Sequence, residues 1–384
     1  MRVLVAFDKF KDALTARAAC EAAARGLRTR HPDWLLDLCP LTDGGEGFCE
    51  SLVAATHGRF ESVSVTGPRG GKVRAPIGYI EWSNIPAAAR TRLSIQNRES
   101  KIENFLAVID LASTSGLALL RPDEREPWQT TSSGTGELIA HAAKSGTHAI
   151  LLGIGGSATN DLGLGALAAL GFRFLKASGA AIATPVPSTW ERIIRVERRG
   201  LLALPPIFIA CDVTNPLLGP RGATATFGPQ KGLRPADTPR LEAAITRMAA
   251  LLCEACGRPP ALADTPGAGA AGGIAFGLMV GCGAQLVPGF ELVSDWLNLP
   301  ARITAADLVL TGEGRFDATS LAGKAPGSLV ATARRLGKPV HVFAGSLGVP
   351  ANERHHAITP AELPLAAALP RTAELLAVAV AREL

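Results

Sequence analysis

The sequence predicts an α/β fold in which both ends of the chain build one Rossmann-like parallel layer. Three observations lead there. The opening and closing stretches alternate short, β-branched apolar runs with longer helical runs, the pattern of βαβ units. The composition is 47% hydrophobic and only 19% charged, which suits a large core. At 384 residues the chain exceeds a typical single domain, so two domains are expected, and 41 Gly and 27 Pro supply tight turns.

Taken in order, RVLVAF (2–7) reads as a strand and TARAACEAAARGLRTR (15–30) as an Ala-rich helix capped by Thr15. WLLDLCP (34–40) is a second strand and GEGFCESLVAAT (45–56) a second helix. ESVSVTGPRGGKVRAPIGYI (61–80) gives two β runs around a Gly-Pro-Arg-Gly-Gly turn, a hairpin signal. Residues 84–104 are polar, basic and aperiodic, and read as a surface excursion. FLAVIDLAS (105–113) and HAILLGI (148–154) resume as strands, with TGELIAHAAKSG (135–146) and GLGALAALG (163–171) as helices. PIFIA (206–210) is a further strand. Near the C-terminus ADLVLTG (306–312) and PVHVFAG (339–345) are strands, while GSLVATARRLG (327–337) and TAELLAVAVAREL (372–384) are helices.

Several function classes fall away on composition. A net charge of +5 with scattered basic residues and one Tyr argues against nucleic-acid binding. Residues 266–289 carry no charge, but they are too rich in glycine to drive membrane insertion, so they read as a buried loop and helix of a soluble protein. Seven cysteines without a framework spacing fit reduced thiols in the cytoplasm, and the C-x-x-C pair Cys253 and Cys256 reads as packing. No zinc-hydrolase histidine motif and no G-x-S-x-G elbow occurs. The first βα turn, DKFKDA, lacks glycine, which argues against a nicotinamide oxidoreductase.

The segment LLGIGGSATND (151–161) has the order that anion binding needs. A strand ends at Gly155 and Gly156, and Ser157, Thr159 and Asn160 lead into a helix near Asp161, so backbone N–H groups and a helix dipole converge. A plain strand–helix turn reads equally well from that segment alone. Four other loops share its character: TDGGEGF (42–48), TSSGTGE (131–137), CDVTNPLLGPRGATATFGPQKG (211–232) and TGEGRFDATSLAGKAP (311–326). Ligands of open α/β sheets gather at the carboxyl ends of strands, so these loops fit a shared cleft. Glycine amides, carboxylates and lysines together suggest phosphoryl transfer, with carboxylates holding Mg²⁺ and one of them accepting the proton of the attacking hydroxyl. Asp8, Lys9 and Lys11 follow the first strand, where the two lysines face one way if the chain stays extended. The glycine loop has no lysine of its own, which leaves Lys9, Lys231 and Lys324 as candidate cations.

At these residues the chain resembles the glycerate kinase family of the bacterial type. DKFKDAL, TDGGEG, TTSSGTGELI, GIGGSATND, the long CDVTNPLLGP…FGPQKG segment and TGEGRFD carry the resemblance, in the family's order over nearly the whole chain. It implies two α/β domains: a Rossmann-like one from residues 1–62 and 288–384, and an inserted one from residues 63–287. It further implies Mg-ATP as donor, D-glycerate as acceptor and 2-phosphoglycerate as product, with 3-phosphoglycerate as the other regiochemistry. A monomer or homodimer is expected, with a non-catalytic metabolite-binding regulator on the same fold as the rival reading. Carried over by position, Asp8, Lys9, Asp43, Asp161, Asp212, Glu313 and Asp317 sit in hallmark motifs. On this reading Asp43 and Asp161 bind metal or substrate, and Asp212 or Asp317 is the base. Gly155, Gly156, Ser157, Thr159, Asn160, Lys231, Glu313, Arg315 and Lys324 complete the expected substrate and phosphate contacts.

Overall fold

The computed structural model describes every residue except 43, 94–104, 199, 322, 351 and 353. Much of the expected surface excursion therefore lies outside the described residues. The chain is α/β and divides into two units, Met1–Asp43 with Phe290–Leu384, and Gly44–Gly289. The two chain ends fold together, but the first crossing falls after Asp43 and not after residue 62. Residues 44–62 belong to the inner unit for a physical reason. Strand Arg59–Thr66 pairs antiparallel with Lys72–Glu81, and the start of helix Phe48–Ala55 is held by Asp110, whose carboxylate accepts from the Gly47 and Cys49 N–H groups.

In the terminal unit five parallel strands lie in the order His355–Ala357, Val340–Ala344, Leu308–Gly312, Arg2–Phe7, Leu35–Leu38. Val3–Phe7 and Leu308–Gly312 are buried without alternation, as expected of parallel strands covered on both faces. The first strand has its sequence neighbour on one side and a strand from the far end of the chain on the other. The topological switch point thus lies between Arg2–Phe7 and Leu308–Gly312, with Phe7 opposite Gly312. Thr15 caps the helix Ala16–Arg30 by accepting from the Ala18 N–H. That helix packs on Thr372–Glu383 through Gly26, where a Cβ would run into the Ala377 carbonyl.

The inner unit holds six strands in the order Gln285–Val287, Ile207–Ala210, Ala149–Gly153, Phe105–Asp110, Lys72–Glu81, Arg59–Thr66. The first four are mutually parallel and the hairpin is antiparallel. Asp110, Gly153 and Ala210 stand in register, so the loops that follow these three strands leave from one edge of the sheet. The uncharged stretch 266–289, read as a loop and helix, forms a turn, the buried helix Ala270–Cys282 and also the edge strand Gln285–Val287. Among the described residues no helix is long and apolar enough to cross a membrane.

Replacing Gly26 by Val forces two packed helices apart. We expect a loss of about 2 kcal/mol in unfolding free energy, read as a lower urea midpoint at unchanged slope.

Candidate active site

In the inner unit the loop after Ala149–Gly153 is pinned from several sides. A Cβ on Gly155 would lie 2.6 Å from the Gly45 Cα, so the glycine is required by close backbone packing. The Ala158 N–H donates to the Ser115 carbonyl and the Leu117 N–H to the Gly156 carbonyl, both at 2.8 Å. Behind the loop, Ala271, Gly272 and Gly273 take three successive left-handed conformations, and the Leu162 N–H donates to the Gly272 carbonyl. Any side chain at Gly272 would strike the Thr159 carbonyl.

Asp161 is the anchor of this assembly and has no exposed surface. Its Oδ2 accepts from the Ser132 N–H and hydroxyl, both at 2.7 Å, and from the Gly165 N–H at 3.2 Å; Oδ1 accepts from the Gly163 N–H at 3.1 Å. These donors lead helices Ser133–Lys144 and Leu164–Ala169, so one carboxylate ties two helix starts together. Burial raises its pKa, and the four hydrogen bonds oppose that rise.

Lys231 reaches the same loop from the short turn Pro229–Lys231. Its Nζ donates to the Ser157 hydroxyl at 2.9 Å and to the Thr159 carbonyl at 2.6 Å, with the side chain fully enclosed. Desolvation pushes this amine down to about 7, against the pull of the Asp161 charge. Beside it, both amide atoms of Asn160 and the Thr159 hydroxyl are buried without hydrogen-bond partners. The structure thus brings Ser157, Thr159, Asn160, Asp161 and Lys231 together. Asp212 sits on the exposed loop after Ile207–Ala210, beside Gly289. Asp43 lies outside the described residues.

In the terminal unit Asp8 and Glu313 directly follow the paired residues Phe7 and Gly312, which sets two buried carboxylates side by side at the switch point. The Lys9 N–H donates to Asp8 Oδ1 at 2.7 Å, and Lys324 Nζ stands 3.6 Å from Glu313 Oε2. Arg315 pairs with Asp317 at 3.1 Å. The Thr319 hydroxyl and N–H also donate to Asp317, and these bonds pull its carboxyl down to about 2. The chain does not stay extended after Lys9: the Phe10 N–H donates to the Leu14 carbonyl, and Lys11 is exposed on the resulting turn.

Two participants carry no clear sequence signal. Ser132 completes the Asp161 anchor, and Asp110 holds the start of Phe48–Ala55. An acid closing an otherwise apolar β run was the available hint for Asp110; nothing local marks Ser132 among its hydroxyl neighbours. For a divalent ion, Asp8 and Glu313 offer the hard oxygen pair that magnesium takes together with phosphate oxygens. Asp161 fits that role poorly, because four donors already converge on it. Among the described residues no group of three or more His, Cys, Asp or Glu side chains is placed to hold a metal.

Comparison with known proteins bears on the family and the fold. The sequence model of the glycerate kinase family matches residues 3–382. A glycerate kinase of Bacillus subtilis (strain 168) is 38% identical over 384 residues, covering 97% of this chain and 94% of the relative. A glycerate 2-kinase of Escherichia coli (strain K12) is 40% identical over 350 residues, covering 90% and 86%. A crystal structure from Salmonella typhimurium LT2, described as a candidate glycerate kinase 2, is 40% identical with a TM-score of 0.74. That likeness covers 100% of this chain and 96% of the other.

Two outcomes follow from the anchor and the buried amine. Asp161→Ala strands four donors, and we expect it to lower unfolding free energy by about 3 kcal/mol in urea titrations. For Lys231, the folded amine releases its proton near 7 while the unfolded one holds it to about 10.5. The unfolded chain therefore binds more protons in that window, and this group's contribution to stability rises with pH. Measured between about pH 7 and 9.5, the stability difference between wild type and Lys231→Met should move in favour of wild type.

Proposed function

The chain is an enzyme of the glycerate kinase family, and from that premise we propose that it transfers the γ-phosphoryl group of ATP to D-glycerate, giving 2-phosphoglycerate. The observation that carries this reading is the enclosed polar assembly of Ser157, Thr159, Asn160 and Lys231, three of which lie in the GIGGSATND segment. A buried cation beside unpartnered polar atoms is costly unless an anionic ligand uses it. The name of the Escherichia coli relative favours transfer to position 2.

In the reaction the glycerate hydroxyl attacks the γ-phosphorus, the bond to the β–γ bridging oxygen breaks, and ADP leaves. The hydroxyl proton must pass to a base. Asp317 is a weak base, held near 2 by Thr319 and Arg315, which favours Asp212 for this role. Lys324 supplies positive charge beside Glu313 for phosphate oxygens. Magnesium, arriving with ATP, would be held by Asp8 and Glu313 and would neutralise phosphate charge. The seven free thiols favour a reducing, cytoplasmic setting.

³¹P NMR of a reaction with ATP and D-glycerate tests the reading directly. We expect ADP and 2-phosphoglycerate to appear together; 3-phosphoglycerate would overturn the regiochemistry. Folded protein that binds D-glycerate but releases no ADP would instead support the regulator reading. Asp212→Asn should lower kcat by about 10²-fold or more while leaving the KM for ATP within about twofold.

A further inference from the structure

The Lys231 ammonium group has three N–H donors. Two are spent on Ser157 and on the Thr159 carbonyl, and the Asp161 carboxylate acts on the amine through its charge. Next to it are the Asn160 amide, whose nitrogen donates and whose oxygen accepts, and the Thr159 hydroxyl, which does both. The assembly therefore presents one positive charge, several donors and at least one unsatisfied acceptor.

That inventory discriminates between the two substrates. A nucleotide phosphate chain carries several negative charges and accepts hydrogen bonds without donating them. Against it the Asn160 oxygen would have no donor to meet. The enclosed Asp161 carboxylate nearby would add repulsion, which a single charge tolerates better than a polyanion. A hydroxy acid offers the complement: one carboxylate to accept from Lys231 and the Asn160 nitrogen, and a hydroxyl to donate to the Asn160 oxygen. At the loop's lip Gly156 is exposed and Gly155 half-buried, just ahead of Ser157.

Resting on the glycerate kinase reading, we infer that the Ser157–Asn160 loop with Lys231 is the pocket for the carboxylate end of the hydroxy acid, and that nucleotide phosphates bind elsewhere. Asn160 then reads a hydroxyl of the acid, which makes it a specificity determinant.

Calorimetric titration of the full chain with D-glycerate and, separately, with ADP tests this without requiring turnover. Lys231→Met should weaken D-glycerate by about 30-fold or more and leave ADP within about twofold. Asn160→Ala should weaken D-glycerate by about tenfold, again with ADP unchanged. Ser157→Ala, which keeps the amine and removes one of its bonds, should weaken D-glycerate by about threefold and serves if Lys231→Met fails to fold. Loss of ADP affinity with D-glycerate binding intact would overturn the assignment. Wild type that binds D-glycerate yet releases no ADP sinks the kinase reading and leaves this one standing. Wild type that turns over, with Lys231→Met raising the KM for ATP alone, does the reverse.

Discussion

The inner unit depends on one buried carboxylate. Helix starts leave N–H groups without partners, and enclosing two such starts at one place requires an acceptor strong enough for both. Asp161 supplies it by gathering the Ser132, Gly163 and Gly165 N–H groups and the Ser132 hydroxyl. To present two of its own following amides to its own side chain, the chain must turn tightly, which explains the left-handed Leu162 and Gly163. For Leu162 that conformation costs about 1–2 kcal/mol, offset by the anchor and by its N–H bond to the Gly272 carbonyl. The preceding residues 157–160 inherit their positions from this fixed point.

Once the loop is fixed, the electrostatics of Lys231 follow. Its carbon chain is packed and its amine is enclosed, so the charge is stabilised by a hydroxyl, a carbonyl and a carboxylate acting at a distance, and not by bulk water. A cation held this way is poised: loss of its proton is easy without a ligand and hard with an anion beside it. The carboxylate that would bind there shares its charge with a site built in advance, which limits the reorganisation that binding requires.

The regular elements were legible because their signals are local. Thr15 preceding an Ala-rich run, the Gly-Pro-Arg-Gly-Gly turn and the β-branched runs each specify their element within a few residues, and the structure has each element there, with some strands shorter than read: the run from Phe105 ends at Asp110 and Ala112–Ser115 is helical. The crossing between units was misplaced because helix Phe48–Ala55 looks alike whichever sheet it serves. What assigns it is Asp110, some sixty positions away. Ser132 was invisible for the same reason, since its distinction from Thr131 and Ser133 is a bond to Asp161. Lys11 depended on an extended chain that the Phe10–Leu14 turn removes.

The glycine pair at 155 and 156 shows why loop composition alone underdetermines a ligand. Glycines before a helix suggest amides offered to phosphate, yet Gly155 is required by the approach of Gly45, a packing constraint unrelated to any anion. The charge comes from Lys231, 74 positions away and carried on its own short turn. Delivering a lone cation from outside the loop leaves the loop's hydroxyl, carbonyl and amide groups to define the shape of what binds. A phosphate-binding loop gains most from uniform donors, whereas this one mixes donors with acceptors around a single charge. That mixture matches a molecule whose own charge and hydroxyls lie within a few bonds of each other, and it is the physical ground for seating the acid, and not the nucleotide, on this loop.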